Sequence, residues 1–104
     1  MSSQQAGTTA DRPNGHHLKK IASLLKVLSN EKRIIILGYL SKGERCVSEL
    51  EGVVGLSQSA LSQHLAKLRA SEMVKTRRNA QNIYYSIKEK SVQDLISYLT
   101  ELKF

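Results

Sequence analysis

Tryptophan is absent, and phenylalanine, proline and cysteine each occur once in the 104 residues. A lone Cys46 excludes an internal disulfide, a CxxC redox pair and a four-cysteine zinc site, so the chain is not a disulfide-stapled secreted scaffold. Aromatic residues make up 5% of the chain, so the core has to be aliphatic, which suits packed helices. No apolar run nears the roughly 20 residues needed to cross a bilayer, and the start lacks a basic segment followed by an apolar stretch and a cleavage site. A soluble cytoplasmic chain is expected. Acidic residues are scarce as well: 9 Asp and Glu stand against 16 Lys and Arg, a net charge of +7. That excess calls for an anionic partner, nucleic acid or a lipid surface. The length allows one small domain.

The domain is expected over residues 16–104, because residues 1–15, MSSQQAGTTADRPNG, are polar and small and read as a disordered tail. From His16, Leu18, Ile21, Leu24, Leu25 and Leu28 recur at helical spacing opposite Lys19, Lys20 and Lys26. Asn30 suits the N-cap of a second helix, EKRIIILGYLSKG, with Glu31 in its first turn and Gly43 as its stop. A short third helix, VSELEGVV, should bury Val47, Leu50, Val53 and Val54 before Gly55 closes it. Ser57 then caps a fourth helix, SQSALSQHLAKLRASE, with Ala60, Leu61, Leu65 and Leu68 inward. After Met73 the period shifts to alternation, and VKTRR and NIYYSI read as a hairpin joined at NAQ, with Ile83, Tyr85 and Ile87 on one face. Helical spacing returns through Val92, Leu95, Ile96, Leu99 and Leu102. The fold class is therefore mainly α with a small β-hairpin, and four helices, a hairpin and a fifth helix are the order of a winged helix-turn-helix.

A helix-turn-helix reader needs a supporting helix, a tight turn and a second helix whose exposed N-terminal residues reach base edges in the major groove. VSELEGVVGLSQSALSQHLAKL supplies these parts in order, with Leu56 as the plug between the helices. On helix 57–71, Ser57, Gln58, Ser59, Ser62 and Gln63 carry hydroxyls and amides that donate and accept toward bases or phosphates, and His64 joins them. Residues 64–78 hold Lys67, Arg69, Lys75, Arg77 and Arg78 against Glu72 alone, a local +4. The hairpin tip, residues 76–83, presents Arg77, Arg78, Asn79 and Gln81 for a minor groove or the backbone. Lys32 and Arg33 lie in a helical first turn, where backbone amides also favour phosphate. The expected partner is double-stranded DNA, without a membrane. No nucleophile and base pair, Gly-rich phosphate loop or paired carboxylates suggest an enzyme, and no cofactor is expected.

Two stretches, NEKRIIILGYL and VSELEGVVGLSQSALSQHLAKLRASEMVKTRRNAQNIYYSI, resemble the ArsR-type winged-helix repressors. The SQSALSQHL helix, the TRR wing and the paired tyrosines are most similar to the BigR/HlyU-like branch. The resemblance covers roughly residues 18 to 104. It implies a transcriptional regulator, usually a repressor, whose first and last helices join two subunits so that the dimer meets a palindromic operator. Leu18, Ile21, Leu25, Leu95, Leu99 and Leu102 would then form the dimer interface, and the DNA-bound protein would sit with the nucleoid.

The chain departs from this pattern at its sensor positions. Gly38 and, approximately, Phe104 stand where that branch carries its two cysteines, so the dithiol switch is missing. The CVC pattern of arsenic and cadmium sensors is reduced to Cys46, Val47 and Ser48, and the last helix has Asp94 and Glu101 but no histidine. A soft-metal site needs several thiolates or imidazoles, which leaves His16 and His17 as the only helpers for Cys46, and no metal is expected. What remains is a constitutive binder or a repressor released by another molecule, with Cys46 as the candidate thiol or metal sensor in the alternative reading.

Overall fold

A computed structural model describes residues 14–104, so most of the polar tail expected over residues 1–15 lies outside the described residues. The elements run α1 (Gly15–Leu28), α2 (Glu31–Leu40), β1 (Arg45–Cys46), α3 (Val47–Val54), α4 (Gln58–Ala70), β2 (Val74–Asn79), β3 (Asn82–Ile87) and α5 (Lys90–Thr100). Three helices open on a side chain that satisfies an orphan amide of the first turn. Asn14 Oδ1 accepts from the His17 amide at 2.7 Å, Asn30 Oδ1 from Arg33 at 3.0 Å and Ser57 Oγ from Ala60 at 3.1 Å.

α2 is the central post. Its Ile36, Leu37 and Leu40 are fully buried, and it packs against α1, α3, α5 and β3. Leu50 and Val54 of α3, Leu61, Leu65 and Leu68 of α4 and Ile96 of α5 complete an aliphatic core, with Val74, Tyr85 and Ile87 closing it from the sheet. Each of these large side chains contributes about 1.5–3 kcal/mol when fully buried. Gln93 Nε2 donates to the Ser41 carbonyl at 2.9 Å, which ties α5 to the end of α2.

The sheet has three strands in the order β1-β3-β2, all antiparallel, where the sequence suggested only the hairpin. β1 pairs Arg45 with Tyr85 and Cys46 with Tyr84. Two residues are too few to show an alternating pattern, so this strand exists through its partner rather than through its own composition. Three other expectations need correction. Val53 is half exposed because α3 turns only Leu50 and Val54 fully inward. α2 stops at Leu40, and Gly43 closes the following turn instead of the helix. α5 ends at Thr100, with Leu102 in the turn beyond it.

The turn between α3 and α4 depends on Gly55, whose φ of 75° is left-handed. A Cβ there would meet nothing within 4 Å, so the backbone conformation alone demands glycine. Gly55→Ala is expected to lower stability by about 1–2 kcal/mol, the usual cost of left-handed backbone for an L-residue, read from urea denaturation midpoints at constant m.

Candidate nucleic-acid interface

α4 has to bury one stripe, Leu61, Leu65 and Leu68, against the body. At 100° per residue that rotation turns Ser59 and Gln63 directly outward, with Ser62 and Lys67 beside them, while Gln58 is exposed by its place in the first turn. Ser57 accepts the capping bond from Ala60, so one of its lone pairs is engaged at the helix start while the other and its O–H can still reach a partner. A helix of 13 residues thus offers a polar outer edge at its N-terminal half, opposite a fully apolar inner one. That is what reading base edges in a major groove requires.

His64 sits at the flank of this face and is only partly exposed. Its Nδ1 is buried without a hydrogen-bond partner, as is Nε of Arg33 in the first turn of α2. Burial, then the charges of Arg33 and Lys67, push the His64 imidazole below its ordinary value of 6.5. Among the predicted contacts His64 is therefore the one whose charged form burial and neighbouring cations disfavour. Arg33, half-buried in the first turn of α2, lies near enough for its charge to act on His64, and Lys32 beside it in sequence is half-buried too.

The wing is the β2–β3 hairpin, whose register runs from Val74 opposite Ile87 to Asn79 opposite Asn82. Ala80 takes a φ of 58° at the two-residue tip, a left-handed position without glycine. Arg78, Asn79 and Gln81 are exposed there. Arg77 is not free. Its Nε and Nη2 donate to both carboxylate oxygens of Glu44 at 3.0 and 2.7 Å, and its guanidinium carbon lies 4.6 Å from the centre of the Tyr84 ring. The Arg77 guanidinium holds the Glu44 carboxyl below the usual carboxylate range. Sequence reasoning missed Glu44 altogether, because 33 residues separate it from Arg77 and only the β1–β3 pairing brings the two together.

Cys46 is buried at the start of α3, with Sγ 3.1 Å from Ser48 Oγ and its amide donating to Glu49 Oε1 at 2.9 Å. His16 and His17 line an open cavity of about 720 Å³ with Glu72, Lys88 and Val92, and Cys46 does not join it. Among the described residues no group of three or more His, Cys, Asp or Glu is placed to hold a metal ion, and no helix is long and apolar enough to cross a membrane. The predicted interface residues on α1, Leu18, Ile21 and Leu25, are exposed, as are Leu99 and Leu102, while Leu95 is half-buried.

A supporting helix, a glycine turn, an outward polar helix and a basic hairpin define a winged helix-turn-helix DNA-binding protein. Comparison with known proteins gives the family. The pattern described as "Bacterial regulatory protein, arsR family" matches residues 30–76. The chain is 47% identical over 91 residues to nodulation protein NolR of Rhizobium meliloti, covering 86% of this chain and 75% of that one. It is 41% identical over 80 residues to the biofilm growth-associated repressor of Xylella fastidiosa, covering 77% and 70%. The solved structure of HlyU from Vibrio cholerae superposes with a TM-score of 0.78 at 42% identity, over 83% of this chain and 94% of that one. The chain belongs to the ArsR family, whose members are transcriptional regulators and not enzymes.

The low His64 value carries a pH dependence of stability. The unfolded chain binds a proton at about 6.5, the folded chain only at lower pH, so acidification through that window favours unfolding. Wild-type thermal midpoints are expected to fall as pH drops below 6.5, and His64→Gln to flatten that part of the profile.

Proposed function

We propose that the chain acts as a homodimeric repressor that binds a palindromic operator, with α4 of each subunit in successive major grooves and each wing beside it. The observation that carries this reading is the placement of Ser59 and Gln63 on the outer edge of α4, opposite Leu61 and Leu65. Gln58, Ser59, Ser62 and Gln63 are the base readers. Ser57, His64, Lys67, Lys32 and Arg33 grip backbone around them, and the wing adds Arg77, Arg78, Asn79 and Gln81. The biofilm growth-associated repressor supports repression by its own description, whereas HlyU of Vibrio cholerae is described as a transcriptional activator.

Dimer formation rests on two helices with unspent apolar faces. α1 buries only Val27 and Leu28 at its far end and leaves Leu18 and Leu25 more than half exposed. α5 buries only Ile96 completely, with Tyr98 at 65% exposure and Leu99 and Leu102 close to 40%. Covering these faces with a second copy removes an apolar patch that a monomer would leave in water. A two-fold dimer then sets the recognition helices about one DNA turn apart, the geometry a palindrome answers. The operator lies on chromosomal DNA, which places the bound protein in the cytoplasm with the nucleoid.

On the resemblance, Gly38 and, approximately, Phe104 stand at the dithiol positions and Cys46 is what remains of the CVC pattern, so the chain is read as a constitutive binder or as one released from its operator by another molecule. The alternative reading, a thiol-based redox or metal-responsive repressor sensing through Cys46, would have to act through a sulfur that is buried 3.1 Å from Ser48 Oγ.

Fluorescence anisotropy on the chain's own upstream region and on a scrambled duplex of equal length tests the reading. Two chains per native duplex at saturation, and weak salt-sensitive binding to the scrambled one, are expected. Gln63→Ala and Ser59→Ala should each narrow the gap between the two by about 1–3 kcal/mol. Unchanged discrimination in both variants would remove α4 from the reading role.

A further inference from the structure

We infer that Glu44 is a specificity-setting residue of the DNA interface, because it occupies the Arg77 guanidinium in the free protein and so withholds one wing cation from DNA of arbitrary sequence. The inference rests on the reading that the wing meets DNA.

The geometry that carries it is a two-pronged ion pair. Nε and Nη2 of Arg77 reach the two Glu44 oxygens at 3.0 and 2.7 Å, the planar match between guanidinium and carboxylate that is stronger and more directional than a single contact. The Tyr84 ring supports the guanidinium from one side at 4.6 Å. Both partners are on strand-bound backbone or next to it: Arg77 faces Tyr84 across β2 and β3, and Glu44 directly precedes Arg45, which pairs with Tyr85. The pair is therefore held in place by the sheet and not by two wandering side chains. At the same time it lies at the surface, with 53% of the Arg77 side chain and 34% of the Glu44 side chain exposed, so a phosphate can reach it.

A phosphodiester oxygen competes with the carboxylate for the same two N–H donors. On a duplex that docks loosely, Arg77 stays on Glu44 and adds nothing, while the carboxylate repels nearby phosphates. Lys75, Arg78 and the α4 cations then supply the sequence-independent attraction. Only a duplex whose base contacts seat α4 fully brings a phosphate close enough to take Arg77 over. Glu44 acts through Arg77 in this scheme and is a positioning residue; it touches no base.

The test compares the salt dependence of binding to the scrambled duplex for wild type, Glu44→Gln, Arg77→Ala, the double variant and Arg78→Ala, with thermal midpoints recorded for each. Glutamine keeps the size of the side chain and removes its charge. Glu44→Gln is expected to steepen the salt slope by about 0.9 and to tighten scrambled-duplex binding about fivefold near 0.15 M salt, the effect of one added phosphate contact. In the Arg77→Ala background the same substitution should leave the slope unchanged, which a purely structural role of Glu44 would not produce. An unaltered or shallower slope in Glu44→Gln, with a shallower slope in Arg78→Ala, overturns the inference and leaves the wing on DNA. An unchanged slope in both Arg78→Ala and Glu44→Gln removes the wing from the interface and overturns the inference together with the wing's part in the proposed function.

Discussion

Burial of Leu61, Leu65 and Leu68 fixes the rotation of α4 about its own axis, and the rest of the interface follows from that rotation. A helix with one apolar stripe has one way to lie on an aliphatic body, and here the body is built on α2, whose Ile36, Leu37 and Leu40 are sealed from solvent. The turn that delivers α4 to this seat needs the left-handed backbone of Gly55, and the Ser57 cap sets where the helix begins. Once these are in place, Ser59 and Gln63 have no inward position to take. The outward polar edge is thus a by-product of packing: the same leucines that stabilise the domain turn Ser59 and Gln63 away from it.

Electrostatics then divides the surface into cations that are free and cations that are already spoken for. Arg78 stands exposed at the wing, while Arg77 is committed to Glu44 and Lys88 to Glu72 at 2.8 Å. Net charge overstates what such a protein offers to DNA, because paired cations bring their counter-charge with them. A regulator has to reject a large excess of wrong sequence, and holding sequence-independent attraction down serves that end as directly as adding base contacts.

Much of this was legible in the sequence where the signal is local. Asn30, Gly55 and Ser57 announce helix boundaries through chemistry confined to a few residues, and each does what its type suggests. The alternation that predicts Tyr85 inward holds, since a strand's period is set by its own backbone. What failed depends on partners distant in sequence. Val53 fits a helical apolar pattern, yet no neighbour covers it. β1 is two residues that become a strand only beside β3. The end of α4 carries no glycine: Glu72 takes the left-handed φ of 60°, and the Met73 amide bonds back to the Leu68 carbonyl at 3.0 Å. Arg77 looked like a free cation because nothing near it in sequence reveals Glu44.

In the function proposed above, the outer edge of α4 and the wing form one DNA-facing surface, separate from the apolar faces of α1 and α5. Backbone amide chemical shifts, followed by NMR as the native upstream duplex is added, test it most directly. The largest changes are expected to cluster at residues 57–67 and 77–82, with those at 95–102 small. Changes concentrated on α1 and α5, with α4 and the wing silent, would contradict it.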